Sequence, residues 1–269
     1  MVLLGFAAYV FLAFRQQREL LHGAGGRLPG CRARPEGGLR RDCKRRTDQV
    51  LLAMGGMLPM RSEYVAFPTR LARAAYIAAR FRPFLSGSVL DVGCGEAALR
   101  GLLPGIHYTG VDVSGNPDIR LNLEDPAGLP FGDGSFECVV CSDVLEHLDS
   151  LHRVFGELVR VARRHLVVSL PNNWCNARRP IERGKGAIGH YGLPLDPPAD
   201  RHRWFFGISE AADFIRGQAG TYPITIVELH ATEKPRLLAV RASRRLLYPS
   251  RERYLNRYAH TLWAVLEKK

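Results

Sequence analysis

Hydrophobic residues in this chain form short continuous runs that are separated by stretches of helical spacing. Runs near residues 89–92, 107–112, 118–123, 136–142 and 165–170 predict buried strands. Between them, apolar residues recur every three or four positions over 69–81 and 151–163, which predicts amphipathic helices. Strands that alternate with helices at these distances predict an α/β protein with a mostly parallel sheet.

Several further elements follow from the same reading. Residues 97–103 are predicted as a short helix, 222–230 and 236–242 as a closing pair of strands, and 251–266 as a C-terminal helix. The stretch 172–207 is rich in Gly, Pro, Arg and aromatic residues and shows no regular period. Long irregular segments inside compact domains are usually functional, so we interpret 172–207 as a substrate-side insertion.

The N-terminal region has a different pattern. Residues 2–14 are thirteen apolar or small residues followed by a basic flank, whereas a membrane-spanning helix needs about 20. Three interpretations of this segment remain open. It could be a membrane-surface or signal-anchor segment, a docked amphipathic helix, or an extension without a folded role. Residues 22–46 have the composition of a basic disordered linker. We therefore predict that residues 1–47 precede a folded domain at 48–269.

Charge narrows the choice of partner. The chain has 38 Lys+Arg against 26 Asp+Glu, a formal charge of +12, which suggests an acidic partner. Residues 1–49 hold ten of these cations and four of the acids, so half of the excess lies in the tail. This distribution disfavours nucleic acid. Since no nucleic-acid module is recognisable either, we expect a small-molecule or lipid-linked substrate. Residues 1–46 are a candidate contact with a membrane surface, and we make no prediction of oligomeric state.

The six cysteines are irregularly spaced and do not suggest a disulfide framework. Cys138 and Cys141 form a C-x-x-C pair inside a predicted strand, where residues three apart point to opposite faces. We interpret them as core residues and assign no metal site. We expect a reducing, cytoplasmic compartment. The N-terminal segment could in addition associate the protein with a membrane.

The chemistry centres on a glycine turn. Gly93 and Gly95 directly follow the strand at 89–92, and glycine lets a ligand approach the backbone closely. Asp112 ends the next predicted strand, 19 residues after Gly93. An acid at about this distance binds the ribose hydroxyls of a nucleotide in doubly wound folds. A glycine turn with such an acid predicts a nucleoside ligand, and would by itself fit NAD.

Asp91 changes the expected ligand. It lies two residues before Gly93, where a negative charge is poorly placed for a pyrophosphate and well placed for a cation. The pattern is also D-x-G-x-G rather than G-x-G-x-x-G. Both features favour S-adenosylmethionine, which carries an ammonium and a sulfonium.

Three segments carry a family resemblance: 89–95, 129–136 (Leu-Pro-Phe-Gly-Asp-Gly-Ser-Phe) and 143–148 (Asp-Val-Leu-Glu-His-Leu). Over residues 88–171 the chain resembles the class I S-adenosylmethionine-dependent methyltransferases, in particular the small-molecule type 11 group. The resemblance implies a Rossmann-like doubly wound sheet of seven strands, mostly parallel, with an antiparallel last strand. It also implies S-adenosylmethionine as the cofactor.

The resemblance implies roles for individual residues. The methionine part of the cofactor would pack on Gly93, Cys94 and Gly95, its ammonium would be held by Asp91, and the ribose by Asp112. Val113 would pack on adenine, and Ser142 with Asp143 would line the methyl-donor pocket. Ala97 replaces a common third glycine, which a wider turn can absorb. The adenine edge has two candidates, namely Asp125, or Asn122 with Leu123.

Methyl transfer needs a general base only if the acceptor must lose a proton. His147, His190 and His202 are the candidate bases, and His147 lies closest in sequence to the methyl-donor pocket. We expect methyl transfer to a small-molecule, lipid-intermediate or sugar acceptor. A non-catalytic, membrane-associated binding protein of the same fold and an RNA or protein methyltransferase are the alternatives.

Overall fold

The computed structural model describes residues 60–198 and 200–269. The predicted hydrophobic segment and basic linker at 1–47, the predicted domain start at 48, Cys31 and Cys43 lie outside the described residues. Within the described residues, no helix is long and apolar enough to cross a bilayer.

Eight strands alternate with six α-helices in the described part of the chain. The strands are β1 (Arg61–Tyr64), β2 (Ser88–Val92), β3 (His107–Asp112), β4 (Ile119–Arg120), β5 (Phe136–Ser142), β6 (Ala162–Pro171), β7 (Ile224–Glu233) and β8 (Ala259–Lys268). The helices are α1 (Arg70–Arg80), α2 (Leu151–Val161), α3 (Asn173–Arg183), α4 (Ile208–Thr221), α5 (Leu238–Leu247) and α6 (Arg251–Tyr258). Short 3₁₀ turns lie at Arg100–Leu102, Leu145–His147 and Gly189–Tyr191.

The strands form one sheet in the order β1-β7-β8-β6-β5-β2-β3-β4. β8 runs antiparallel to both β6 and β7, and the other neighbours are parallel. The predicted fold class, a mostly parallel Rossmann-like sheet with an antiparallel last strand, is confirmed. The sheet has eight strands instead of seven because β1 adds to the free edge of β7, with Arg61 opposite His230.

Each face of the sheet has its own hydrophobic core. One face packs against α1 and includes Cys138 with Trp263, and the other packs against α2, α4 and α6 and includes Cys141. Both cysteines are buried and unpaired, and they lie in different cores because side chains three apart in a strand face opposite ways. Burial also raises the pKa of the Cys141 thiol well above its ordinary value.

Two predictions at the C-terminal end were wrong. Residues 236–242, predicted as a strand, belong mostly to helix α5, while the partner of β7 is β8. The helix predicted over 251–266 ends at Tyr258, and Leu262 and Leu266 lie in β8. Almost every side chain of β8 is buried because helices cover both faces of the sheet, and such a strand shows no alternation in its sequence.

Three other elements differ from prediction. Residues 97–103 form turns and one 3₁₀ turn rather than a helix, and the strand predicted at 118–123 shortens to Ile119–Arg120. The insertion at 172–207, predicted as irregular, begins with α3. Its N-cap is the buried Asn172, which accepts a hydrogen bond from the Cys175 backbone.

Asn172 also joins the insertion to the end of the chain. Its Nδ2 donates to the backbone oxygens of Asn256 at 2.8 Å and Ala259 at 2.7 Å, at the junction of α6 and β8. One buried side chain therefore caps α3 and satisfies carbonyl groups where α6 ends. This arrangement holds the insertion at the carboxyl end of β6, beside the candidate site.

Candidate functional site

The predicted glycine turn and the predicted ribose acid lie side by side. β2 is flanked by β3 and β5, with Val92 opposite both Val111 and Cys141, so the three strands end at one edge. The Gly95 backbone N–H donates to Asp112 Oδ2 at 2.8 Å. This bond links the turn directly to the acid at the end of the next strand.

The turn requires glycine for two reasons. Gly93 and Gly95 have φ values of 73° and 53°, in the left-handed region that favours glycine. A Cβ on Gly93 would lie 2.2 Å from Val144 Cγ2, and one on Gly95 would lie 2.7 Å from Arg70 Nη1. Ala97, at the position of the missing third glycine, keeps a left-handed φ of 51°. The turn therefore accommodates alanine at the cost of backbone strain.

Asp91 is buried in β2 and accepts a 2.7 Å hydrogen bond from the Tyr108 hydroxyl. Burial raises the pKa of Asp91 to about 6, with a further increase from the charge of Asp112, while Tyr108 and Arg100 act in the opposite direction. A cation bound beside Asp91 would favour its carboxylate form. Tyr108 was not predicted as a site residue, although the alignment of β2 with β3 brings it there.

Asp112 and Val113 present complementary surfaces next to the turn. Asp112 Oδ1 accepts from the Ser114 backbone N–H at 2.9 Å and from the Ser114 hydroxyl at 3.3 Å, whereas Oδ2, which accepts from Gly95, retains a second lone pair for a hydroxyl group. Val113 is 57% exposed, which is unusual for a valine at a strand end. A polar acceptor beside an open apolar side chain suits a ribose with its attached base.

Both candidates for the adenine edge lie in consecutive tight turns. Asn122 Oδ1 accepts from the Glu124 backbone N–H at 3.0 Å, and Asp125 Oδ1 accepts from the Ala127 backbone N–H at 2.9 Å. The Leu123 carbonyl accepts from Arg153 at 2.8 Å. Asn122 and Asp125 are both exposed, so the two assignments for the adenine edge stay open.

The end of β5 carries a polar cluster. Ser142 Oγ and Ser169 Oγ are 2.9 Å apart, and Ser169 Oγ donates to Asp143 Oδ1 at 2.7 Å. Asp143 has a left-handed φ of 52° and forms an ion pair with Arg73 of α1. The sequence predicted helix α1 but not this contact, because nothing in a helical repeat indicates which strand end the helix faces.

The three histidines proposed as bases come together in the tertiary structure. The ring centroids of His147 and His202 are 4.5 Å apart, those of His190 and His202 are 4.3 Å apart in a stacked arrangement, and those of His147 and His190 are 5.9 Å apart. His147 Nδ1 also lies 2.6 Å from Asp200 Oδ1. Residues separated by up to 55 positions therefore form one cluster.

Backbone contacts hold the insertion against the 3₁₀ turn that follows β5. The Arg203 N–H donates to the Glu146 carbonyl at 2.8 Å, and the Trp204 indole N–H donates to the Leu148 carbonyl at 2.7 Å. These bonds place His202 over His147. Because the insertion returns to the turn only in the folded chain, no spacing in the sequence predicts this contact.

Electrostatics within the cluster are strongly perturbed. Burial, with the nearby His147 and His190, lowers the pKa of His202 to about 4, so His202 is neutral at pH 7. Glu146 is 1% exposed, and burial together with Asp143 raises its pKa well above the ordinary value. Glu146 was not predicted as a site residue, although an acid three residues after Asp143 and directly before His147 is a signal that the sequence contains.

These residues fit S-adenosylmethionine. The left-handed glycines shape a tight turn beside Asp112, the buried Asp91 suits a cationic amine, and Asp112 with Val113 suits an adenosine. Each predicted cofactor contact at the ends of β2, β3 and β5 lies on this one edge of the sheet, and the candidates at 122–125 follow β4.

Similarity to known proteins agrees with this arrangement. Residues 90–166 match the family model described as "Methyltransferase domain". A curated relative, the tRNA (carboxymethyluridine(34)-5-O)-methyltransferase of Arabidopsis thaliana, is 33% identical over 107 residues, which are 35% of this chain and 26% of that protein. The chain thus spans about a quarter of the length of the curated relative that it matches.

Two solved structures are similar to parts of this chain at low sequence identity. A SAM-dependent methyltransferase from Archaeoglobus fulgidus is similar over 75% of this chain and 95% of its own, with 20% identity and a TM-score of 0.47. The small RNA methyltransferase HEN1 is similar over 80% of this chain and 27% of its own, with 19% identity and a TM-score of 0.49.

Proposed function

We infer that this chain, which belongs to the class I S-adenosylmethionine-dependent methyltransferases of the type 11 kind, transfers a methyl group to a small anionic acceptor. The predicted family and cofactor are confirmed at the level of the domain. The identity of the acceptor is our proposal. When bound, S-adenosylmethionine supplies an electrophilic methyl group on a sulfonium.

A cavity beside Asp143 is the observation that carries the proposed acceptor class. It has a volume of about 180 Å³ and is lined by Arg73, Lys234 and polar groups that include Asn176 and His260. This volume suits a single small polar group rather than a large apolar molecule. Arg73 is already paired with Asp143, which also lines the cavity, so Lys234 is the cation that favours a carboxylate or phosphate on that group.

The side chains of the site have separate tasks in this proposal. Asp91, Asp112 and the glycine turn would bind and orient the cofactor, which reduces the entropy that the reaction must lose. The helix α1 and the insertion cover the carboxyl ends of the strands and would exclude water. If the acceptor is a hydroxyl, a neutral imidazole of the histidine cluster would receive its proton.

RNA is a second candidate acceptor. A larger cavity of about 310 Å³ is lined by arginines and aromatic rings, namely Trp174, Arg178, Tyr248, Arg253, Asn256 and Arg257. Cationic grooves with exposed aromatic rings bind the phosphates and bases of single strands. The expectation against nucleic acid is not supported, because the curated relative is a tRNA methyltransferase.

Calorimetry with S-adenosylhomocysteine tests the cofactor assignment. We expect the wild type to bind, and Asp112→Ala to bind at least tenfold more weakly, because the ribose acceptor is lost. Asp112→Asn is the matched variant, since its amide oxygen can still accept from the Gly95 N–H and so separates turn stability from ribose binding. No binding by a folded wild type would contradict the proposed function.

Transfer of a labelled methyl group distinguishes the two acceptors. The full chain would be incubated with labelled S-adenosylmethionine and, separately, with a small-metabolite extract and with total RNA. We expect label in small anionic products that is lost with Asp112→Ala. Label confined to RNA would replace the small-molecule proposal with the RNA candidate.

A further inference from the structure

The side chains of Glu146 and His147, in the 3₁₀ turn that follows β5, converge with that of His202. One ligand-type atom from each of the three lies within 4.8 Å of the others. Ligands of a single tetrahedral Zn²⁺ lie roughly 3.4 Å apart, so modest side-chain rotations would bring all three onto one ion. Two imidazoles and one carboxylate form a ligand set that borderline transition metals prefer.

Glu146 provides a second, independent observation. Its side chain is 1% exposed, and its Oε2 atom has no hydrogen-bond partner among the described residues. Buried polar atoms in folded proteins are nearly always paired, and an unpaired carboxylate oxygen is costly. A bound cation beside the two imidazoles would satisfy this oxygen.

An oxygen atom of a neighbouring residue lies beside the Nδ1 atom of both histidines. His202 Nδ1 lies 3.1 Å from Asn173 Oδ1, which can only accept, and we therefore assign the proton to Nδ1 and the free lone pair to Nε2. His147 Nδ1 contacts the Asp200 carboxylate, while its Nε2 lies 3.7 Å from Glu146 Oε1. A carboxylate or amide oxygen on the outer nitrogen is typical of metal-binding histidines.

A second cluster in the described residues shows the contrast. Glu63, Glu228 and His230 also lie close enough together to share an ion. There, however, Arg80 pairs with both carboxylates, at 2.8 Å from Glu63 and in direct contact with Glu228. The guanidinium pairs with both carboxylates and the Tyr76 hydroxyl donates to Glu63, so both carboxylate groups of that cluster already have partners.

We propose that Glu146, His147 and His202 bind one divalent transition-metal ion, of the Zn²⁺ or Co²⁺ kind, with the remaining coordination positions left open. Three protein ligands with open positions are typical of catalytic rather than structural metal sites. His190 stacks on His202 without belonging to the ligand set. The proposal differs from the sequence-based assignment, which contained no metal site.

The role of the ion rests on the proposed function. An acceptor hydroxyl or phosphate oxygen that binds to such an ion is oriented, and a bound hydroxyl becomes more acidic. The metal site itself does not depend on which acceptor is methylated.

Binding of Co²⁺ to the full chain tests the site. The measurements are calorimetry and the visible absorption of Co²⁺, which intensifies on tetrahedral coordination. We expect one site per chain that is weakened at least tenfold in Glu146→Gln and in His202→Asn. Mg²⁺ should compete poorly because it prefers an all-oxygen ligand set.

His152→Asn is the matched control, because His152 is exposed and contacts the rings of Trp204 and Phe214 rather than the cluster. It should bind Co²⁺ like the wild type. Binding of S-adenosylhomocysteine reports on folding and on the proposed function separately. Two outcomes would overturn the metal site alone. In the first, the wild type binds S-adenosylhomocysteine but not Co²⁺. In the second, Glu146→Gln and His202→Asn bind Co²⁺ as tightly as the wild type. Co²⁺ binding without S-adenosylhomocysteine binding would instead overturn the proposed function.

Discussion

At the scale of single residues, the buried Asp91 lowers the stability of the free protein and favours the binding of a cationic ligand. Its carboxylate is buried and has a pKa raised to about 6, so the folded protein disfavours its charge. Each pKa unit corresponds to about 1.4 kcal/mol, and the free protein therefore loses stability as pH rises from about 4 to 6 and Asp91 ionises. A cationic ligand would recover this loss, which is why such a residue is expected in a binding site.

Asp91→Asn should make the free protein more stable and weaken cofactor binding. The amide oxygen can still accept from Tyr108, whereas the buried charge is removed, so we expect a gain of about 1–3 kcal/mol in the free energy of unfolding at pH 8. Near pH 4 the gain should vanish, because the wild-type carboxyl is then largely protonated in the folded state and no longer places a charge in the core. Denaturant unfolding at both pH values measures this difference.

The affinity of the wild type for S-adenosylhomocysteine should also fall as pH drops through about 6, as Asp91 is protonated. The variant should show weak binding without this pH dependence. Asp213→Asn, at an exposed position in α4, is the control and should change neither property. Equal affinity of wild type and Asp91→Asn at pH 8 would exclude Asp91 from cofactor binding.

At the scale of elements, the segment from the end of β2 through the first 3₁₀ turn contains a glycine that the backbone requires, Gly93, and one that it does not require, Gly101. Gly93 combines a positive φ with contact against Val144, while a Cβ added to Gly101 would meet no atom within 4 Å, and Gly101 has no positive φ. Two glycines eight residues apart thus have different roles, and their substitution by alanine provides a matched pair.

Gly93→Ala should destabilise the protein by about 3 kcal/mol, from the left-handed backbone and the overlap with Val144. Gly101→Ala should stabilise it by about 0.5 kcal/mol, because alanine restricts the unfolded chain. Thermal and denaturant unfolding measure both effects. Adding Val144→Ala to Gly93→Ala should restore only the part of the lost stability that comes from the overlap with Val144. If the double variant recovered all of the lost stability, backbone strain at residue 93 would be negligible.

At the scale of the whole molecule, buried histidines determine the response to acid. Burial lowers the pKa of four of them below the ordinary value, namely His165, His202, His230 and His260. The unfolded chain therefore binds more protons than the folded chain once pH falls below about 6.5. Asp91 and Glu146 act in the opposite direction, because burial raises the pKa of both carboxyls, but they are two groups against four.

We accordingly expect the melting temperature to fall as pH is lowered from 7 to 5. His230→Gln should reduce the slope of this decrease, because His230 is 2% exposed and its protonation would place a charge in the core. The slope is the relevant measurement, since the substitution also removes the contact with Tyr76 and lowers stability at every pH. The control His152→Gln should leave the slope of melting temperature against pH unchanged. An unchanged slope in His230→Gln would show that His230 gains no proton when the protein unfolds.

The sequence by itself determined the alternation of strands and helices, the family, the cofactor and the positions of Asp91, Gly93 and Asp112. These features are local, because strand runs, tight turns and an acid at a strand end are encoded within about 25 consecutive residues. β8 was not predicted because a strand buried on both faces has no alternation that distinguishes it from a helix.

Only the tertiary structure decided which distant residues meet. Three contacts join segments that are distant in sequence and that only packing brings together. They are the pairing of β1 with β7, the ion pair of Arg73 with Asp143, and the cluster of Glu146, His147 and His202. Such contacts depend on strand order and on where the insertion returns to the sheet. Local spacing contains no information about either, and so the acceptor side of the site became visible only in the folded chain.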